Sequence, residues 1–177
     1  MKIGEDGKDN TLHIEYVKGD ATQPRLQPFY PNVIVHCVNA VGKWGAGFSG
    51  ALGRRYPEAE RDYRAWKHRA LGGVLLTPIH PLIQGTQYSL FVAHIVGQAH
   101  VRTYPGQKVL NEGALGKGLI ELMQMIAKGL PFFPGDCRFH MPRIGAGLAG
   151  GTWESVTPLL QTAFGFYHPG VYVYDLS

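Results

Sequence analysis

The sequence predicts a single α/β sandwich with parallel strand pairs. Three observations point there. Strand-like and helix-like segments alternate along the chain. The run Val33-Ile34-Val35-His36-Cys37-Val38 is apolar and β-branched, as expected of a strand covered on both faces. Two glycine-rich turns each follow an apolar strand and precede a helix-like segment.

The elements follow in order. Residues 1–10 are polar and rich in Gly and Asp, and are expected to form a loose end. Leu12 to Val17 alternates as a strand and stops at Gly19-Asp20. Pro24, Pro28 and Pro31 punctuate the approach to the Val33–Val38 strand, which ends in Asn39. Phe48 to Arg55 reads as a helix. Pro57 to Lys67 starts with proline in a first helical turn and continues in good helix formers. Gly72 and Gly73 open a strand over Val74–Ile79, and Tyr88–Val96 is a further β-rich run. In Asn111–Lys128, Leu115, Leu119, Leu122, Met123 and Ile126 recur at helical spacing, and Gly129 can end that helix. Phe139–Ile144 reads as a strand. Trp153–Phe164 reads as a helix in which Pro158 predicts a break or a late start. Val171–Tyr174 closes the chain as a strand. No internal linker and no tandem repeat divides it.

Composition agrees with one domain. Hydrophobic residues make up 45% and aromatics 11%, enough for a core. Glycine fills 24 of 177 positions, about twice its ordinary share of roughly 7%. No G-X-Y period accompanies it, and the 12 prolines do not bring the total into the low-complexity range, so collagen and biased sequence are excluded. With 17 basic and 13 acidic residues the net charge is +4, which suits an anionic ligand without identifying nucleic acid. Cys37 and Cys137 lie in apolar stretches and are expected as buried free thiols in a reducing compartment, one disulfide being the alternative. No apolar run has signal-peptide or membrane-span length, so a cytoplasmic protein is expected.

The glycine excess has a local pattern. Gly45, Gly47 and Gly50 fit G-x-G-x-x-G, and Gly145, Gly147 and Gly150 fit it again. Without a Cβ, such backbone can approach an anion and turn through positive φ. Successive N–H groups then form an anion-binding concavity, reinforced by the helix start behind it. The competing reading is tight turns and close helix–sheet packing with no ligand. A dinucleotide fold would place an acidic residue at a strand end about 20 positions on, but Glu58, Glu60 and Asp62 fall in a predicted helix. The stretch 113–118 lacks the spacing and the Ser/Thr of a P-loop. Two loops gripping one diphosphate fits better than either motif.

At these residues the chain resembles the macrodomain family, modules that bind ADP-ribose. The resemblance runs from Tyr16-Val17-Lys18-Gly19-Asp20-Ala21 through both glycine loops to the last strand. Its specific part is His36-Cys37-Val38-Asn39-Ala40-Val41-Gly42-Lys43-Trp44-Gly45-Ala46-Gly47 with Arg55-Tyr56-Pro57-Glu58-Ala59-Glu60-Arg61-Asp62-Tyr63, which looks most like the ADP-ribose-1''-phosphate phosphatase branch. Met141-Pro142-Arg143-Ile144-Gly145-Ala146-Gly147-Leu148 with Trp153-Glu154 also resembles the ALC1-like branch, which removes ADP-ribose from glutamate or DNA. The fold implied is a three-layer sandwich, a mixed central β-sheet flanked by helices on both faces.

The resemblance also implies roles. Asp20 would accept from the adenine amino group, supported by the Ala21 amide. Asn39 would contact the distal ribose. Gly45, Ala46, Gly47 and Phe48 would hold one side of the diphosphate, and Ile144, Gly145, Ala146, Gly147 and Leu148 the other. Gly42, Lys43 and Trp44 complete the expected ligand-binding set, Lys43 as a neutralising cation and Trp44 as a cover over the ribose. The lysine and aspartate of the ALC1-like hydrolases are replaced by Ile95-Val96-Gly97-Gln98 and by Ala149, which argues against that mechanism. His36 and Asn39 are the candidate catalytic pair for releasing the terminal phosphate, His36 ranking ahead of Lys43, His94 and His100, with a buried, hydrogen-bonded strand histidine as its competing reading. They stand three apart, so they converge only if the strand ends or bends between them. His94 and His100 match no zinc spacing. The expectation is a monomer without metal, cofactor or membrane partner, taking ADP-ribose or a derivative. Its competing readings are a non-catalytic reader, and a hydrolase acting on ADP-ribosylated protein or nucleic acid. The basic stretch from Arg54 to Arg69 reads first as a solvated face, with nucleic acid as the alternative.

Overall fold

The computed structural model describes residues 7, 9–45, 47–80 and 89–176. In chain order its elements are β1 (Ile14–Lys18), β2 (Pro31–Asn39), α1 (Gly47–Arg55), α2 (Pro57–Ala65), β3 (Val74–His80), β4 (Ser89–Gln98), α3 (Glu112–Gly129), β5 (Arg138–Met141), α4 (Trp153–Phe164) and β6 (Gly170–Asp175). The strands form one sheet ordered β1-β6-β5-β2-β4-β3. Every neighbouring pair is parallel except β3–β4, which is antiparallel at one edge. That edge position tolerates Pro78, which cannot donate to a ladder.

Alternation along the central strands sorts side chains into two layers. Val33, Val35, Ala93 and Ile95 pack with Leu115, Leu119, Leu122 and Met123 of α3 and with Val156, Leu160 and Phe164 of α4. Ile34, Leu90 and Val92 pack with Leu52 of α1 and Ala59 of α2. This is the expected three-layer sandwich, and it points the carboxyl ends of the parallel strands toward one rim. Among the described residues no helix is long and apolar enough to cross a membrane.

Two expectations need correction. The strand expected over Phe139–Ile144 ends at Met141, because Pro142 follows and the chain turns. The helix over Trp153–Phe164 is continuous through Pro158. Its start is fixed by Thr152, whose side chain accepts from the Ser155 N–H, and one face buries Trp153, Val156, Leu160, Ala163 and Phe164. A mid-helix proline costs about 3 kcal/mol. Burying each large apolar side chain returns roughly 1.5–3 kcal/mol, so packing decides. Pro158 itself is exposed. Of the expected loose end, residues 1–6 and 8 lie outside the described residues, as does Tyr88 at the start of its predicted strand.

Both cysteines are free thiols, Cys137 buried and Cys37 half-buried. Cys137 enters β5 beside the start of β2, since Asn32 pairs with Arg138, whereas Cys37 lies near the other end of β2. At about 3.3 Å per residue the two stand too far apart for a disulfide.

Candidate functional site

A cavity of about 690 Å³ opens where the first glycine loop, the second glycine loop and the end of β4 meet. Of the expected ligand set it gathers Asn39, Lys43, Trp44, Gly45, Gly47, Phe48, Ile144, Gly145, Gly147 and Leu148. Loops more than 90 positions apart in sequence thus face each other, because β2 and β5 are sheet neighbours. Leu148 of the second loop lies against Gly47 of the first; a Cβ at Gly47 would stand 3.1 Å from Leu148 Cδ1. Asp20, Ala21, Gly42 and Ala146 are not among the lining residues, and Ala46 lies outside the described residues. Asp20 closes a turn beyond β1, its Oδ1 accepting from the Thr22 N–H and hydroxyl at 2.8 Å each. Ala21 is buried with Val17 and Tyr174.

Asn39 sits at the end of β2. Strict alternation would aim it at the α3/α4 layer, opposite His36. Instead the ladder shifts between Val38 and Asn39, where Gly97 is the extra residue on β4. Beyond that shift the Asn39 side chain turns toward α2. Its Oδ1 accepts from the Lys43 N–H at 3.0 Å and its Nδ2 donates to the Lys43 carbonyl at 2.7 Å. The Tyr63 hydroxyl of α2 binds the same residue. Asn39 therefore pins the loop that carries Lys43 and Trp44, and it shares the cavity wall with His36. The condition for their convergence is met.

The glycines divide by task. Gly45 at φ 142° and Gly147 at ordinary φ have no atom within 4 Å of where a Cβ would lie, so both leave room on the cavity side. Gly50 and Gly151 serve packing: a Cβ on Gly50 would strike the Gly45 carbonyl, and one on Gly151 would lie 2.6 Å from the Gly145 carbonyl. The packing reading is thus right for Gly50, while Gly45 and Gly147 stand open to the cavity.

His36 is 2% exposed and both its ring nitrogens have partners. Nε2 lies 2.7 Å from His94 Nδ1, and Nδ1 lies 3.4 Å from the Ser49 hydroxyl. Burial, assisted by His94, holds its pKa well below the usual histidine value. Burial likewise pushes His94 down to about 4. Trp44 packs edge-on against the His36 ring at 5.5 Å and tilted against Tyr63 at 5.3 Å, so its indole is part of the wall rather than free. Cys37 also lines the cavity, but burial pushes its thiol up to about 12, which removes it as a nucleophile at neutral pH. His100 is exposed, apart from His94.

Several wall residues were not in the expected set: Ser49, Val101, Arg102, Pro142 and Arg143. Ser49 lies in the first turn of α1, and Arg102 lies in the loop leaving β4, which no motif marked. Lys43, Arg102 and Arg143 bring three cations, and no carboxylate stands among the described lining residues. Arg143 is held by Asp175 through two hydrogen bonds of 2.7 and 3.0 Å. Gln98 and Ala149, where the resemblance marked replaced hydrolase residues, both line the cavity.

No family model matches the chain. An ADP-ribose 1''-phosphate phosphatase of Saccharomyces cerevisiae is 26% identical over 168 residues, spanning 84% of this chain and 92% of that protein. Chromodomain-helicase-DNA-binding protein 1-like of Mus musculus is 31% identical over 158 residues, 86% of this chain but 16% of that longer protein. A solved macrodomain protein from Streptomyces coelicolor superposes with a TM-score of 0.70 at 32% identity, covering 93% of this chain and 100% of that one.

Proposed function

The chain belongs to the macrodomain family, and we propose that it binds ADP-ribose and hydrolyses ADP-ribose-1''-phosphate to ADP-ribose and phosphate. One observation carries this reading. The cavity is ringed by two open glycine loops and by Lys43 and Arg102, with Arg143 beside them paired to Asp175 and no carboxylate among its described lining residues. Such a wall selects a ligand with several negative charges.

In this reading the diphosphate lies between Gly45–Phe48 and Ile144–Leu148, where backbone N–H groups can meet its oxygens. Asp20, fixed by Thr22, keeps further lone pairs for the adenine amino group, with the Ala21 amide beside it. Asn39 faces the distal ribose with the second hydrogen of Nδ2. The terminal phosphate then meets Lys43 and Arg102. Water attacks phosphorus, the bond from phosphorus to the ribose oxygen breaks, one water proton passes to that oxygen and the other leaves with the phosphate, and the cations offset the charge that develops. His36 and Asn39 act here by positioning. Neither offers a free base, because the His36 nitrogens and Asn39 Oδ1 are already hydrogen-bonded.

That same feature favours a second reading, binding without turnover. The test is direct. Pure protein incubated with ADP-ribose-1''-phosphate should release phosphate above the blank, and calorimetry should show ADP-ribose binding. Binding without release selects the reader. Affinity for ADP-ribose weaker than millimolar removes both readings. Removal of ADP-ribose from protein or nucleic acid has less support, since Gln98 and Ala149 stand at the wall in place of the lysine and aspartate it uses.

A further inference from the structure

A chain of hydrogen bonds runs from the core into the cavity. Thr77 of β3 lies 3.0 Å from His94 Nε2; His94 Nδ1 lies 2.7 Å from His36 Nε2; His36 Nδ1 lies 3.4 Å from Ser49 Oγ. Thr77 and His94 are fully buried, and Ser49 lines the cavity. The four residues come from β3, β4, β2 and α1, all on the α1/α2 side of the sheet. We propose that this chain is directional, each link donating toward the cavity, so that Ser49 presents its hydroxyl hydrogen to an anionic group of the ligand.

The direction follows from counting protons. A neutral imidazole carries one ring hydrogen, so it donates at one nitrogen and accepts at the other. The link between His36 and His94 therefore fixes both rings at once. Two arrangements remain, and Thr77 separates them. Its buried hydroxyl finds one acceptor among the described residues, His94 Nε2. If Thr77 donates there, His94 must carry its hydrogen on Nδ1 and give it to His36 Nε2. His36 then carries its own hydrogen on Nδ1 and gives it to Ser49 Oγ. In the reverse arrangement the Thr77 hydrogen finds no acceptor among the described residues, the costly case for a buried polar group. Burial keeps both rings neutral, which the scheme requires.

His36 is then no general base. It is a neutral donor that occupies one lone pair of Ser49, and the Ser49 hydrogen is left to point at the ligand. His94 and Thr77 touch nothing in the cavity and act as positioning residues. The ligand half of this inference rests on the ADP-ribose reading; the proton direction does not.

The test has two parts. Nitrogen-edited spectra of the imidazoles at neutral pH should place the hydrogens of His36 and His94 both on Nδ1. Hydrogens on Nε2 of both rings, or a doubly protonated ring, overturn the direction. Calorimetry with ADP-ribose should then show Ser49→Ala weakened about tenfold or more, the loss of one hydrogen bond to a charged group. Thr77→Val should weaken binding and mix the two imidazole forms, while Thr77→Ser keeps both as in the natural protein. Ser49→Ala binding within about twofold of the natural protein overturns the ligand role. Natural protein that binds no ADP-ribose overturns the functional reading instead, and the spectra still decide the direction.

Discussion

The Tyr63 hydroxyl donates to the Asn39 carbonyl at 2.6 Å and lies 3.0 Å from Asn39 Oδ1. One phenol thereby ties α2 to the end of β2 and to the loop that Asn39 pins. Tyr63→Phe keeps the ring packing against Trp44 but leaves the buried Asn39 carbonyl without its donor. The expected loss is about 1–3 kcal/mol of folding stability, read as a lower urea midpoint at unchanged slope. ADP-ribose affinity should fall as well, because the loop carrying Lys43 loosens. A variant equal to the natural protein in both measurements would show that the loop is held by other contacts.

The two kinds of glycine give opposite expectations. Gly147→Ala adds a methyl where no atom lies within 4 Å, so stability should stay within about 0.5 kcal/mol while ADP-ribose binding weakens. Gly151→Ala forces a methyl to 2.6 Å from the Gly145 carbonyl and into Leu110. It should lose about 1–3 kcal/mol of stability from overpacking. Thermal melts and calorimetry on the pair separate the two effects. If both variants lose stability equally, the division into open and packing glycines fails.

Buried histidines set an acid limit on the fold. Burial pushes His94 and His140 down to about 4. An unfolded histidine titrates near 6.5, so between those values the unfolded chain binds more protons than the folded one. Stability is therefore full above about pH 6.5 and falls as pH drops toward 4, by up to about 1.4 kcal/mol per pH unit for each histidine. Urea unfolding along a pH series should show that slope. A flat profile across the window would mean that these rings are protonated in the folded protein.

Asp20→Asn separates the turn from the ligand. An asparagine oxygen can still accept from the Thr22 N–H and hydroxyl, so the fold should be unaffected. The ionised acceptor for an adenine amino group is gone, and ADP-ribose binding should weaken by about 1.5–3 kcal/mol. Unchanged affinity measured by calorimetry would remove Asp20 from the site.

Much of this was legible in the sequence, for identifiable reasons. The runs Val33–Val38 and Val171–Tyr174 are strands because β-branched and aromatic residues suit a doubly covered sheet. The two glycine loops were visible as loops, and the adjacency of β2 and β5 brings them together. Pro158 misled because local propensity cannot see the apolar face of α4 closing on the core. Ser49, Arg102 and the pairing of His36 with His94 were out of reach. The two histidines stand 58 positions apart, and only the register of β2 on β4 sets them side by side. The glycines of the two motifs were legible as a group, but not their division, since that depends on what each missing Cβ would meet.

The ladder shift beside Asn39 has a further consequence, for insertions and deletions. Gly97 is the extra residue there, and a side chain on it would collide with Cys37 Sγ. Removing Gly97, or adding a residue between His36 and Asn39, would leave the apolar character of both strands intact. It would nonetheless turn the cavity's polar groups toward the wrong helical layer. This short span should therefore be intolerant of changes of length. A library of single-codon deletions and insertions, sorted for ADP-ribose binding, would be emptied at 36–39 and 97 before the outer loops showed any loss.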